Sequence, residues 1–139
     1  MTIAIRYDSK TGNTRRLAQA MAEALNTTAE TVSAPLPEHV DVLLLGSSVY
    51  AAGASEEIKQ FIARLNPAQV GRVVCFGTAA LLPSTYPQVS KLLRKQGVAV
   101  EQEEFHCRGQ FHFMHRGKPD ENDLNAARQF AKRVAGDAP

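Results

Sequence analysis

Tryptophan is absent from the 139 residues, and cysteine occurs only twice, as Cys75 and Cys107. Two thiols in separate expected elements, with no C-x-x-C spacing, argue against a disulfide framework and fit a reducing compartment. Long apolar runs are missing as well: none approaches the roughly 20 residues that a membrane span needs. Met1 leads almost at once into a strand-like pattern, with neither a basic nor an apolar leader region, so a cytoplasmic protein is expected. Nor does one sign of charge dominate. Lys plus Arg number 16 against 14 Asp plus Glu, a net +2 without a block of like charge, and nucleic acid is not expected as a partner. Internal repeats, linkers and low-complexity segments are lacking; Pro35 and Pro37 mark only a short loop. With 44% hydrophobic and 22% charged residues, the chain is expected to form one domain over 1–139, large enough to bury a core without staples.

What is present is an alternation of apolar runs and amphipathic stretches. Strands are expected at 3–7, weakly at 29–33, and at 41–46, 72–77 and 98–107. Between them, apolar residues recur at helical spacing: Leu17, Ala18, Met21 and Leu25; Ile58, Phe61, Ile62 and Leu65; Val89, Leu92 and Leu93; and Leu124, Ala127, Phe130, Ala131 and Val134. Ser55 before Glu56 and Glu57, and Asp120 before Asp123, place an acceptor and negative charge where a helix begins. Runs as continuous as "DVLLLG" and "RVVCFG" read as parallel strands buried on both faces. The expected fold is therefore α/β, a doubly wound sheet of about five strands joined by right-handed crossovers. Ligands of such sheets sit beyond the carboxyl ends of the strands, which here means loops 8–13, 47–54 and 78–83.

The first of these loops has an unusual composition. In "IAIRYDSKTGNTRRLAQAM" a strand pattern passes through small and hydroxyl-bearing residues straight into a helix. A helix starting near Asn13 points unsatisfied N–H groups and a positive dipole end at the loop, Gly12 allows close approach, and Ser9, Thr11 and Thr14 add hydroxyls. The loop lacks the first glycine and the lysine of G-x-x-x-x-G-K-[ST], and G-x-G-x-x-G is absent, so neither a nucleoside triphosphate nor a dinucleotide is indicated. A cradle of hydroxyls and amides without an obligatory cation suits a phosphate monoester; the alternative is that these residues only cap the helix.

"SKTGNT", after the first strand and opening the first helix, resembles the FMN phosphate loop of flavodoxins, [ST]-x-T-G-x-T, at all four specified positions. "LLLGSSVYAAGASEEIKQFI" is similar to that family's third strand, flavin loop and following helix, and "VVCFGTAA" to its fourth strand and second flavin loop. "FHCRGQF" followed by "GKPDENDLNAARQFAKRV" resembles the ending of many small members. The resemblance covers nearly the whole chain and implies the short-chain flavodoxin-like fold: a three-layer sandwich around a five-stranded parallel sheet of order 2-1-3-4-5. It implies non-covalent FMN, with Ser9, Thr11, Asn13 and Thr14 and the amides of Lys10 and Gly12 on the phosphate. Ser48, Val49, Tyr50, Ala51 and Gly53 would border the ring on one side, and Thr78, Ala79 and Ala80 on the other. Tyr50 is the expected stacking partner, since an aromatic face packs flat on the flavin and excludes water; backbone groups at 50–53 are candidates for the hydrogen bond to flavin N5. No catalytic acid, base or nucleophile and no metal are implied. The function implied is one-electron transfer between a reductase and an acceptor protein.

Departures from the family pattern open other readings. Electron-carrier flavodoxins are usually acidic, whereas this chain has a pI of about 8.7, so steering toward the same partners is in doubt. Without tryptophan the usual aromatic sandwich is at best half present, and the second flavin loop offers Leu81, Leu82 or Tyr86 where an aromatic is common. Apolar, uncharged loops would suit an organic substrate such as a quinone, and that variant resembles the flavodoxin-like protoporphyrinogen oxidases. A third reading is a non-redox binding module on the same fold. His106, Cys107, His112 and His115 lie close together, but their spacing matches no zinc motif with its second ligand pair, and solvated or core-edge histidines are expected. Cys75 and Cys107 read as small packers, and Arg15 and Arg16 as the exposed side of the first helix.

Overall fold

A computed structural model of the protein describes residues 1–49, 54–79, 84–110 and 116–135. Its elements are β1 (Ile3–Tyr7), α1 (Asn13–Leu25), β2 (Ala29–Thr31), β3 (Val40–Val49), α2 (Glu56–Arg64), β4 (Val70–Ala79), α3 (Tyr86–Lys95), β5 (Phe105–Arg108) and α4 (Glu121–Val134). All ladders are parallel, in the order β2-β1-β3-β4-β5. The order reverses after β2, so the carboxyl ends of β1 and β3 flank the crevice where α/β sheets take ligands.

Side-chain alternation along the strands divides the core into two layers. On one face Leu43, Leu45, Val73 and Cys75 pack against Ile58, Phe61 and Ile62 of α2 and Val89 and Leu93 of α3. On the other, Ile5, Leu44, Val74 and Phe76 meet Leu17, Ala18 and Met21 of α1 and Ala127, Phe130 and Ala131 of α4. The helical faces expected from spacing are those buried. Among the described residues, no helix is long and apolar enough to cross a membrane.

Four strands differ in extent from expectation. β3 and β4 run past Gly46 and Gly77, so that Ser47, Ser48 and Thr78 belong to the ladder instead of to loops. Their hydroxyl side chains read as loop signals, yet all three are buried. The weak second strand ends at Thr31, two residues short of Ser33. The fifth strand is not continuous from 98 to 107: the chain touches β4 at one bridge, Val73 with Val100, and pairs again only from Phe105. Within the intervening "EQEE", the Glu101 N–H still bonds to the Val73 carbonyl at 2.9 Å, and side chains supply the other contacts. Glu101 pairs with Arg72, Glu103 with Arg133, and Glu104 accepts from Ser84.

Candidate functional site

The carboxyl end of β1 delivers the chain to Gly12, which has φ 91° in the left-handed region that glycine adopts without strain. Gly12 is the N-cap of α1, and its carbonyl accepts the first helical bond, from the Arg16 N–H at 3.1 Å. Helix geometry leaves the N–H groups of Asn13, Thr14 and Arg15 without helical partners, and no side chain caps them. The first turn holds no acidic residue, and Arg15 and Arg16 are exposed on it.

The loop is rigidly strapped. Ser9 Oγ accepts from the Gly12 N–H at 3.0 Å, folding the loop back on itself. Lys10 Nζ reaches across to both carboxylate oxygens of Glu57 on α2, at 2.9 and 3.0 Å, which raises the lysine's pKa and lowers the glutamate's. Asp8 Oδ2 accepts from Ser55 Oγ at 2.6 Å, and Ser55 Oγ in turn accepts from the Ile58 N–H. Charged side chains of the loop are thus drawn toward α2, and Thr11 is exposed.

Asn13 and Thr14 turn inward. Asn13, 7% exposed, donates through Nδ2 to the Gln110 carbonyl at 2.9 Å. Thr14 is fully buried, its Oγ1 2.9 Å from Thr78 Oγ1 and 3.3 Å from the Ser47 carbonyl. If Thr78 donates to Thr14 and Thr14 to Ser47, each of the two hydroxyl protons has an acceptor. The carboxyl ends of β3 and β4 are thereby tied to the start of α1. Gly109 completes the junction: a Cβ there would stand 2.7 Å from Asn13 Nδ2 and 3.0 Å from Thr78 Cβ, so only glycine lets the segment after β5 lie against α1.

Ser48 Oγ lies 3.5 Å from the Asp8 carbonyl, Val49 pairs with Ala79 in the ladder, and the Ala79 carbonyl accepts from the Gly109 N–H at 3.3 Å. Tyr50, Ala51, Gly53, Ala80, Leu81 and Leu82 lie outside the described residues, as do His112 and His115. Tyr86 opens α3 and donates its hydroxyl to the Glu101 carbonyl at 2.8 Å, with its ring against the α2/α3 core.

Sequence reading found Ser55 as the cap of α2 but missed its bond to Asp8, the inward commitment of Asn13 and Thr14, and the parts played by Gly109 and Gln110. The signal available for the last two was a glycine directly after the final strand.

Elsewhere the chemistry is quiet. Burial pushes the Cys75 thiol up to about 12, and burial with the nearby Asp123 carboxylate does the same for Cys107, so neither is a thiolate nucleophile. His106 Nδ1 lies 2.7 Å from Glu104 Oε2. Among the described residues no group of three or more His, Cys, Asp or Glu could hold a metal.

Fold and site together define a doubly wound parallel α/β protein with an uncapped, acid-free helix N-terminus at the carboxyl edge of its sheet. The flavodoxin domain family model matches residues 4–113, and the chain belongs to that family, whose cofactor is FMN. Solved structures agree on the fold. A flavodoxin from the domain Archaea is 16% identical with TM-score 0.76, over 99% of this chain and 98% of that one. Oxidised flavodoxin 2 from Bacillus cereus is 18% identical with TM-score 0.71, over 99% and 100%. The apo form of an NADH:FMN oxidoreductase is 18% identical with TM-score 0.64, over 99% and 91%. No curated protein matches the chain.

The residues present fit the group. A Cβ on Gly12 would meet nothing within 4 Å, so the left-handed turn opens outward, and the N–H groups behind it are of the kind that suit a phosphate.

Proposed function

We propose that this chain binds one FMN non-covalently at the carboxyl edge of β1, β3 and β4 and carries electrons singly between protein partners, a reductase and an acceptor. The observation that carries the reading is the start of α1. It has a left-handed Gly12, no capping side chain and no acid in the first turn, within a [ST]-x-T-G-x-T stretch of a flavodoxin-family chain. On this reading the amides of 10–14, with the hydroxyls of Ser9 and Thr11, face the phosphate. Asn13 and Thr14 contribute N–H groups while their side chains hold the site's frame to Gln110, Ser47 and Thr78. The segments after Val49 and Ala79, including Tyr50, border the ring and keep water from it. When bound, FMN supplies the redox chemistry; the chain's residues bind, orient and shield it.

The test is the visible spectrum of the purified protein before and after addition of FMN, followed by stepwise anaerobic reduction. Flavin absorption perturbed by binding, with a long-wavelength band that rises and then falls during the titration, is the expected result. Bound flavin reduced without that band, and reoxidised by a quinone at a catalytic rate, would favour the FMN-dependent oxidoreductase. A protein that leaves the spectrum and fluorescence of added FMN unchanged would overturn both.

A further inference from the structure

We infer that the groove between α2 and α3 is a docking surface for an acidic segment of a protein partner. The groove encloses about 340 Å³ and is lined by Ala54, Lys59, Gln88, Lys91, Leu92 and Lys95. No carboxylate lines it. Lys59, Lys91 and Lys95 are exposed, and among the described residues none of the three has an ion-pair partner. Lys10 and Lys118, by contrast, are engaged, the first by Glu57 and the second by Asp120 and Asp123.

The charge pattern works against the helix that carries it. α3 has Lys91, Arg94 and Lys95 and no acidic residue. Lys91 and Lys95 stand at i and i+4, where like charges repel and a glutamate would have helped. Lys95 and Arg94 gain from the helix dipole in the last turn, but Lys91 lies a turn earlier. Arg94 is turned away toward the Tyr86 hydroxyl, at 3.3 Å. A local rule broken without internal compensation points to a partner that supplies the missing charge.

The lining also indicates the class of partner. The floor is apolar, with Leu92 packed on the α2/α3 core, and the upper end is closed where Gln88 Oε1 accepts from the Ala54 N–H at 2.7 Å. The three lysines come from two helices, Lys59 from α2 and Lys91 and Lys95, a turn apart, from α3, a spacing that suits carboxylates placed along a segment. Among the described residues no aromatic side chain lines the groove for bases to stack on, as single-stranded nucleic acid would use. A peptide segment with an apolar side chain between carboxylates matches both floor and rim. Ala54 directly follows segment 50–53, assigned above to the flavin edge. The partner's role as a redox partner rests on the electron-carrier reading, whereas the binding itself does not.

The experiment is a titration of the ¹⁵N-labelled protein, at low ionic strength, with a synthetic peptide bearing a central leucine flanked by glutamates. FMN binding is measured on the same samples. The expected result is amide shifts centred on Ala54, Lys59, Lys91, Leu92 and Lys95, with affinity falling as salt rises. Lys91→Glu/Lys95→Glu should weaken the peptide by about tenfold or more. Lys91→Arg/Lys95→Arg should retain it, with FMN binding unchanged in both variants. Shifts centred on Arg15, Arg16 and Arg116, no shifts, or undiminished binding to a folded Lys91→Glu/Lys95→Glu variant would overturn the assignment. Tighter binding of an equally charged single-stranded oligonucleotide at the same residues would replace it with a nucleic-acid surface. Peptide binding without FMN binding would leave the groove assigned and remove the cofactor reading.

Discussion

Four helices begin at the carboxyl edge of the sheet, and they treat their first N–H groups differently. α2 is capped by Ser55, which accepts from Ile58, and has Glu56 and Glu57 in its first turn. α4 begins with a full capping box, Asp120 and Asp123 each accepting from the other's backbone N–H at 3.0 and 2.9 Å, with Glu121 between them. α1 begins at a bare Gly12 and follows it with Arg15 and Arg16. α2 and α4 carry their own anion; α3 has no acid in its first turn either, but its Tyr86 N–H goes to Ser84 Oγ at 3.0 Å and Pro87 brings no N–H, whereas α1 leaves its positive end open and adds cations to it. The difference favours the proposed phosphate site at the start of α1, since each of the other three helices engages at least one of its first N–H groups within the chain.

The strongest way to break the contrast is to remove the open turn. Gly12→Val puts a β-branched residue at φ 91°, a strain of about 1 to 3 kcal/mol, and fills the space in front of the bare N–H groups. FMN binding should be lost and the melting temperature lowered, as followed by flavin fluorescence and by calorimetry. A variant that keeps FMN affinity would show that the phosphate lies elsewhere. Thr11→Val is gentler. It removes one hydroxyl without changing shape, and FMN affinity should fall by about 1 to 3 kcal/mol; unchanged binding would take Thr11 out of the phosphate site.

Making α1 resemble α2 sharpens the comparison further, because two effects of opposite sign are expected. Arg15→Glu/Arg16→Glu places acids in the first turn, which should stabilise the FMN-free protein by about 0.3 to 1 kcal/mol per residue through the helix dipole. The same change should weaken FMN, whose phosphate would then meet like charge. Thermal melts without cofactor and FMN titrations of the same variant are the measurement. Parallel movement of stability and affinity would mean that the two arginines have no bearing on the anion.

How far these differences were legible depended on how local they were. The caps of α2 and α4 and the turn at Gly12 occupy a few consecutive residues, and their chemistry is readable from Ser55, from Asp120 with Asp123, and from "SKTGNT". The frame behind the turn was not readable. Thr14 meets Thr78 across 64 positions and Asn13 meets Gln110 across 97. Hydroxyl residues that mark a loop by composition are, at Ser47 and Thr78, buried strand residues, and Thr78's hydroxyl meets such a distant partner in Thr14. The same ambiguity shortened β3 and β4 in the expectation. In 101–104 the error ran the other way, since alternation cannot reveal that backbone pairing lapses after the Glu101 N–H bond to Val73 and that side-chain contacts to Arg72, Arg133 and Ser84 take over.

The smallest effect separates the helices by pH. Lys118 Nζ at 2.8 Å and the Asp123 N–H hold Asp120 down to about 2, from an ordinary 3.8. A carboxyl whose folded pKa lies below its unfolded value stabilises the fold fully above the unfolded value and ceases to do so as pH falls through the folded one. The cap of α4 should therefore weaken between about pH 4 and pH 2, seen as faster amide exchange in its first turn. Asp120→Asn keeps an acceptor at the cap but removes the titration, and should flatten that dependence. α1 has no titrating cap and should show no such step. Its anion arrives with the ligand, so its pH dependence should appear instead in FMN affinity near the second phosphate ionisation, about pH 6, with tighter binding above it. An FMN affinity flat from pH 5 to 8 would mean that the open N-terminus of α1 does not distinguish the phosphate dianion, and the contrast with α4 would reduce to one of capping alone.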